Sequence, residues 1–336
     1  MTLADLVAGV ILVALTFYVV LGGADFGGGV WDLLAAGPRK DGQRELVAHA
    51  IGPVWEANHV WLILAIVLLF TGFPSAFARL AVVLHIPLAL ALIGIVLRGS
   101  AFAFRSYGTE RDESERRWGR TFAVASLLTP LLLGTTLGAI AAGAVGEGVA
   151  RLGAGFMAGY VRPWLTPFAF SVGVFAVVSF AFLAAVYLTL EAGQEDLRED
   201  FRRRALAAGV ALFFAAALAL VLSRREAPLV WEGLVTAAWA LPLHLLTAAT
   251  ALTALAALWR RAYRVARVAA AAQVSLILWG WGLAQYPYLV PPDLTVDAAA
   301  APAVTLRLVL IALALGAVVL FPSLYYLFQV FKGRAP

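Results

Sequence analysis

Residues 55–72 read WEANHVWLILAIVLLFTG, so a short polar segment is followed by an unbroken apolar run. A helix needs about 20 apolar residues to cross the hydrocarbon core of a bilayer. The apolar residues are consecutive, whereas the strands of a transmembrane β-barrel alternate apolar and polar positions. The stretch therefore predicts a transmembrane helix that carries an acid and a histidine near its beginning.

Similar runs recur along the whole chain and predict about nine spans. Their approximate bounds are 6–24, 52–72, 78–100, 121–145, 166–190, 205–223, 229–258, 265–287 and 304–328. The 336 residues are 62% hydrophobic and 13% charged, while a soluble domain carries about 25% charged residues. We therefore expect an all-α polytopic membrane protein, and the composition excludes a soluble enzyme. The absence of Cys excludes disulfides, thiolate metal sites and iron–sulfur clusters.

The order of the runs suggests how the single membrane domain, residues 1–336, is organised. We expect a first four-helix bundle over 1–145, a second over 166–287 and a peripheral helix at 304–328. No loop is long enough for a soluble domain. We expect the charged segments near 100–120 and 191–204 to be solvated loops, and the Pro-rich segment 286–293 to be a rigid connection on the outer side.

The basic residues predict the orientation in the membrane. Of the 25 Lys and Arg residues, 19 fall on the side of the loops that follow the odd-numbered spans, and six fall on the other side. The positive-inside rule then places the N-terminus outside and the C-terminus in the cytoplasm. The net charge of +5 does not indicate nucleic-acid binding, because these residues lie in short loops between spans.

Four ionisable residues within or beside the spans are candidates for chemistry. Glu56 and His59 are three residues apart and share one face of a helix. Asp25 lies in the segment GGADFGGG, whose small residues favour close helix approach, and Arg98 lies near the end of the third span. All are expected near the cytoplasmic end of the first bundle. A proton relay is one interpretation, and a solvated Asp25, a structural Glu56 and an Arg98 that reaches lipid headgroups are the alternatives.

Haem binding by this chain alone is not expected. The sequence has four His residues; a loop position is expected for His49, and His59 and His85 are predicted at opposite depths. A haem held by two histidines needs both rings in one cavity. No HExxH metal motif occurs.

Several motifs together resemble subunit II of the cytochrome bd-type quinol oxidases, including the cyanide-insensitive branch. The matching stretches, in the order of that family, are GGADFG at 22–27, WEANHVWL at 55–62, FPSAF at 73–77, RGSAF at 98–102, WGLAQYP at 281–287 and FPSLY at 321–325. One of these motifs would be weak, but the ordered series is specific.

The resemblance implies a haem-free subunit of a quinol:O2 oxidoreductase in the bacterial plasma membrane. Subunit I of the family carries two haems b and one haem d, or a third haem b, and the quinol site. Subunit II packs against it, and the complex oxidises quinol and reduces O2 to water with protons taken from the cytoplasm. Further partners that the resemblance allows are the lipid bilayer and a small single-helix accessory subunit. Some members hold a quinone in subunit II, which the sequence does not locate.

The resemblance also suggests residue roles. Glu56 matches the acidic position assigned to proton delivery, where many members have Asp, and Asp25 matches an acid near the entrance of that path. His59 lies on the same helix face as Glu56. Trp61 matches an aromatic residue associated with oxygen access, and Arg98 matches an arginine on the haem-facing side. No residue of this chain is expected to be catalytic by itself.

Two other functions fit the residues without the resemblance. A proton-coupled secondary transporter could use Glu56, His59 and Arg98 as a coupling site, although transporter sites usually lie near the bilayer midplane. A structural scaffold with inert charges is the third interpretation.

Overall fold

The computed structural model describes residues 2–51, 55–107 and 113–332, with side chains for all of these except 55–57, 105–107, 113–116, 328, 331 and 332. The described chain is almost wholly helical, which confirms the all-α prediction. The helices are α1 Leu3–Phe17, α2 Gly23–Leu33, α3 Lys40–Ile51, α4 Trp55–Gly72, α5 Pro74–Val83, α6 His85–Tyr107, α7 Glu113–Ala141, α8 Ala144–Ala150, α9 Pro167–Glu191, α10 Glu195–Glu226, α11 Pro228–Val235, α12 Ala240–Trp259, α13 Tyr263–Gln285, α14 Val296–Ala299 and α15 Ala303–Lys332.

The number of spans agrees with the sequence. Among the described residues, eight helices are long and apolar enough to cross a membrane, and a bent pair raises the number to nine. That pair is Asn58–Gly72 and Pro74–Val83, and the direction of the helix axis changes by 116° between them. Pro74 begins α5, and proline suits the first position of a helix because its missing N–H has no intrahelical acceptor there.

The first span is longer than predicted. α1, a π-helical turn at Tyr18–Gly22 and α2 form one unbroken helix over Leu3–Leu33, 31 residues long. The segment 22–29 therefore lies inside the helix and does not end it. The predicted close approach through its glycines is confirmed, because a side chain at Gly23 would come within 2.6 Å of the ring of Phe180 in α9.

Other predicted boundaries were wrong. The third span begins at His85 and not at 78, because the preceding residues form the separate helix α5. The predicted span 229–258 is divided into α11 and α12. α10 begins at Glu195, so most of the segment 191–204 is helical.

Two predicted connections also contain regular structure. His49 lies in α3 and not in a loop; α3 buries Gln43, Val47 and Ile51 at a spacing of four, so its inner face packs on the bundle. The segment after α13 contains an antiparallel pair of short strands, β1 Tyr288–Val290 and β2 Leu294–Thr295.

The helices pack in a continuous arrangement. α7 packs against α6 and α9, and α9 also packs against α2 and α10. α2 and α7 therefore contact α9 across the boundary predicted between the two bundles, and that division stays a prediction. α15 contacts α1 and α4, and only 6% of the apolar stretch of this helix is buried inside the protein.

Candidate functional site

A buried carboxylate marks the centre of the candidate site. Asp25 lies in α2 with 7% of its surface exposed, and Asn58 in α4 is 3% exposed. Asn58 Nδ2 donates a hydrogen bond of 2.5 Å to Asp25 Oδ2. A buried carboxylate needs such donors because removing a charge from water is costly. Asp25 is therefore not the solvated helix-end residue considered as an alternative.

The cation of the site is Arg98 in α6, which is 1% exposed. Its Nε donates a 3.1 Å hydrogen bond to Oγ of Ser126 in α7. Its guanidinium carbon lies 4.8 Å from the ring centroid of Phe26 and 5.2 Å from that of Phe122. Arg98 also interacts electrostatically with Asp25. The alternative in which Arg98 reaches lipid headgroups is therefore wrong, because its side chain points into the protein.

Arg98 and Asp25 lie at similar depths. Phe26, the residue after Asp25 in α2, has its ring centroid 4.8 Å from the guanidinium carbon of Arg98. Asp25 is eight residues before Leu33, the last residue of α2, or about 12 Å along the helix axis. Two residues far apart in sequence thus place opposite charges at one level inside the first part of the protein.

Aromatic rings enclose His59 on two sides. The ring centroid of His59 in α4 is 6.0 Å from that of Tyr18 and 6.0 Å from that of Phe26. Tyr18 opens the π-helical turn and is 3% exposed. π-Helical turns are frequent at functional sites. Sequence reasoning missed Tyr18, because the π-helical turn that it opens changes the helical register between it and Asp25.

Glu56 lies in α4, two residues before Asn58 and three before His59. Its side chain is outside the described residues. Its predicted role in proton delivery stays a prediction.

Trp61 lies in an aromatic stack with Phe17. It is 5% exposed, and its ring is stacked on Phe17 at a centroid distance of 4.4 Å. The ring centroid of Phe321 in α15 lies 6.4 Å from that of Trp61, and the two rings are tilted relative to each other. The stack joins α1, α4 and α15, and the association of Trp61 with oxygen access stays a prediction.

The four histidines lie in four different helices, and that this chain binds no haem by itself stays a prediction. His49, His85 and His244 are exposed and lie in three different helices. His59 is the partly buried one, and it contacts aromatic rings. Among residues 2–51, 58–104, 117–327, 329 and 330, where side chains are described, no group of three or more His, Cys, Asp or Glu could hold a metal ion.

The site therefore combines an acid, an amide, an arginine and a serine from four helices, α2, α4, α6 and α7. Sequence reasoning found Asp25 and Arg98 but missed Asn58 and Ser126, because neutral polar residues are common in membrane helices. The arrangement holds an acid and an arginine inside the protein, where a carboxyl group could take up and release a proton.

Comparisons with known proteins agree with this architecture. The family model of cytochrome bd terminal oxidase subunit II matches residues 3–331. A Bacillus subtilis (strain 168) protein provisionally named cytochrome bd menaquinol oxidase subunit II is 25% identical over 324 residues, covering 94% of this chain and 91% of that protein. Cytochrome bd-I ubiquinol oxidase subunit 2 of Escherichia coli (strain K12) is 28% identical over 194 residues, or 57% of this chain and 49% of that protein.

A solved structure has the same fold. A chain in the structure of the bd oxidase from Geobacillus thermodenitrificans superposes with a TM-score of 0.79 and 25% identity, and the match covers 100% of both chains.

Proposed function

Because this chain belongs to the family of cytochrome bd terminal oxidase subunit II, we propose that it packs against the haem-carrying subunit I and delivers protons for the reduction of O2. The family assigns it to an oxidoreductase complex and favours that function over a secondary transporter. The observation that carries the proposal is the buried contact of Asp25 with Asn58 beside Arg98.

The cost of these charges supports a functional role. A charged side chain at the centre of a membrane helix costs about 2.5–3.5 kcal/mol on insertion scales. This chain buries both Asp25 and Arg98, although an apolar pair of similar volume would often be as stable or more stable. A purely structural scaffold does not require them, whereas a proton carrier requires an ionisable group inside the membrane.

A second acid marks a route from the basic end of the helices to the cluster. Asp32 lies seven residues after Asp25 in α2 and is 3% exposed. Seven residues correspond to about 10 Å and nearly two helical turns, so both acids lie on one face. In the proposed path, protons enter near Asp32 and reach Asp25, with Glu56 and His59 as further carriers.

The rest of the function rests on the family. We infer that subunit I holds two haems b with a haem d or a third haem b, which supply electrons and bind O2. Quinol is the electron donor, and the N-terminus of this chain lies outside while its C-terminus lies in the cytoplasm. Trp61 would lie along the route of O2, and a quinone and a small accessory subunit are further partners of the assembled complex.

The test is the variant Asp25→Asn in the assembled oxidase, with Glu56→Gln made in parallel. Quinol-driven O2 uptake should fall about a hundredfold or more, because a positioned acid–base group typically contributes about 10²–10⁴-fold to the rate of a proton transfer. The matched control is Asp293→Asn, which removes a carboxylate of similar charge that pairs with Arg79 near the outer hairpin.

Assembly must be checked in the same samples. The reduced-minus-oxidised visible spectrum reports the haem content of each variant. Unchanged O2 uptake by Asp25→Asn, with full haem content, would show that Asp25 is not an obligatory proton carrier. Lost haem would instead assign Asp25 to assembly, and the proposal would then be wrong for this residue.

A further inference from the structure

An open cleft of about 340 Å³ lies at the basic end of the helices, away from the charged cluster around Asp25. It is formed by the turn between α2 and α3 and by the first turns of α10. Its lining includes Gly37, Arg39, Gln43, Asp200, Arg203 and Arg204. Three of these residues are cations and one is an anion, so the lining carries excess positive charge.

Hydrogen bonds hold two of the arginines in place. Arg39 binds Asp200 through Nη2–Oδ1 at 2.6 Å and Nε–Oδ2 at 2.9 Å. Gln43 donates to Asp200 at 2.8 Å and accepts from Arg204 Nη2 at 2.7 Å. The hydrogen bonds that Arg39 donates to Asp200 raise the pKa of Arg39. The two guanidiniums are therefore fixed beside the cleft before any ligand arrives.

Arg204 contributes charge to the cleft. Its guanidinium carbon lies 5.3 Å from the ring centroid of Trp31 and 5.1 Å from that of Phe201. Its Nη2 donates to two neutral oxygens, those of the Gln43 side chain and the Leu34 backbone. No carboxylate among the described side chains forms an ion pair with it, so its positive charge adds to the electrostatic potential of the cleft.

The third arginine, Arg203, is 75% exposed in its side chain. Its carboxylate partner is Glu199, which also binds Arg202 and Arg261. A second carboxylate, Glu195, binds Arg198 and Arg261. This network thus joins four arginines to two carboxylates, which leaves excess positive charge beside the rim of the cleft.

An apolar stripe continues from this rim along α10. Arg203, Ala207, Val210 and Phe214 are spaced by four, three and four residues, so they share one helix face. Val210 and Phe214 are 52% and 64% exposed. Leu34, beside the cleft, is 54% exposed. The basic cleft thus lies at one end of an exposed apolar surface on α10.

We propose that this cleft binds the phosphate group of an anionic phospholipid, whose acyl chains lie along Ala207, Val210 and Phe214. The largely exposed Arg203 can supply charge-assisted hydrogen bonds to phosphate oxygens, and the excess charge of the lining favours an anionic over a zwitterionic headgroup. The apolar stripe favours a lipid over free inorganic phosphate, because only a lipid would bury it.

The experiment uses the assembled oxidase complex, stripped of lipid in detergent and studied by native mass spectrometry. The complex is titrated with dioleoylphosphatidylglycerol, with dioleoylphosphatidylcholine and with inorganic phosphate as a competitor. The variants are Arg203→Gln and the double variant Arg39→Gln/Arg203→Gln. The control is Arg260→Gln, an exposed arginine at the same end of the molecule.

We expect the wild type to prefer the anionic lipid. Arg203→Gln should weaken its binding about fivefold and the double variant about twentyfold or more, as expected for the loss of one or two surface cations. Arg260→Gln should leave the affinity unchanged. Inorganic phosphate at about 10 mM should not displace the lipid, because an ion at that concentration screens exposed charges only weakly.

Three results would overturn the proposal. They are equal affinity for both lipids, equal effects of Arg203→Gln and Arg260→Gln, and displacement of the anionic lipid by inorganic phosphate. The visible haem spectrum reports assembly. Because Arg203 is largely exposed, its single variant decides the question even if the double variant does not assemble.

Discussion

The contact between α7 and α9 depends on two glycines one helical turn apart, Gly134 and Gly138. A Cβ at Gly134 would lie 2.8 Å from the carbonyl oxygen of Val172 and 2.8 Å from Cα of Gly173. A Cβ at Gly138 would lie 2.6 Å from Cα of Ala169. Small residues four apart are a common device for close approach of membrane helices. We predict that Gly134→Ala destabilises the protein.

The size of the effect follows from these distances. Ordinary contacts of a Cβ begin at 3.4 Å, so the overlap is 3.4 − 2.8 = 0.6 Å at Gly134 and 3.4 − 2.6 = 0.8 Å at Gly138. Backbone atoms cannot rotate away, so α7 and α9 must separate. A gap of about 0.5–1 Å forfeits a quarter to a half of the dispersion attraction. In lipid no hydrophobic effect replaces that loss.

The expected cost is therefore in the range of overpacked cores, about 1–3 kcal/mol. The higher helix propensity of alanine offsets up to about 1 kcal/mol of it. We expect a net loss of about 1–2 kcal/mol for Gly134→Ala, and a larger but not additive loss when Gly138→Ala is combined with it.

Thermal unfolding of the purified complex measures the effect. A loss of this size should lower the Tm by roughly 2–8 °C, since 1 kcal/mol corresponds to about 2–4 °C in a domain of 150–250 residues. Gly119→Ala is the matched control, because Gly119 lies in the same helix and a Cβ there meets nothing within 4 Å. An equal Tm for Gly134→Ala and Gly119→Ala would refute the argument.

Two further changes test single contacts. Thr166 caps α9 by accepting a hydrogen bond from the backbone N–H of Ala169, so Thr166→Ala should cost about 0.5–2 kcal/mol and lower the Tm of the complex; an unchanged Tm would show that the cap is dispensable. Arg98→Met should destabilise by about 3–5 kcal/mol because it leaves the buried charge of Asp25 without its cation, and adding Asp25→Asn should restore part of that loss. A double variant no more stable than Arg98→Met, measured by Tm and haem content, would contradict this pairing.

The sequence predicted the class of fold and the number of spans because both depend on local hydropathy. It did not predict where spans bend. The break between Gly72 and Pro74 lies inside an apolar run, as does the division of 229–258. Hydropathy carries no information about a change of backbone direction within such a run. The continuation of the first helix to Leu33 was also missed, because a run of glycines usually ends a helix. Here tertiary packing against Phe180 overrides that preference.

The candidate site was predicted in part for a related reason. Asp25 and Arg98 are conspicuous because charge is rare in apolar runs, whereas the amide of Asn58 and the hydroxyl of Ser126 are ordinary in sequence. Their importance comes from the pairing of helices distant in the chain. Tyr18 is brought beside His59 at a π-helical turn, and no sequence pattern used here marks such a turn.

The features that sequence reasoning missed explain how the chain can hold charge inside the membrane. The glycines of α2 let this helix approach α9 closely, which leaves the opposite face of α2 to carry Asp25 towards α4. Asn58 and Ser126 then supply the hydrogen bonds that water would otherwise give to the acid and to Arg98. Because the four groups come from four helices, a relative shift of any one helix breaks a partner contact. Close packing is therefore a condition of the proposed proton path. We expect Gly134→Ala and Arg98→Met to lower O2 uptake only together with the Tm of the complex.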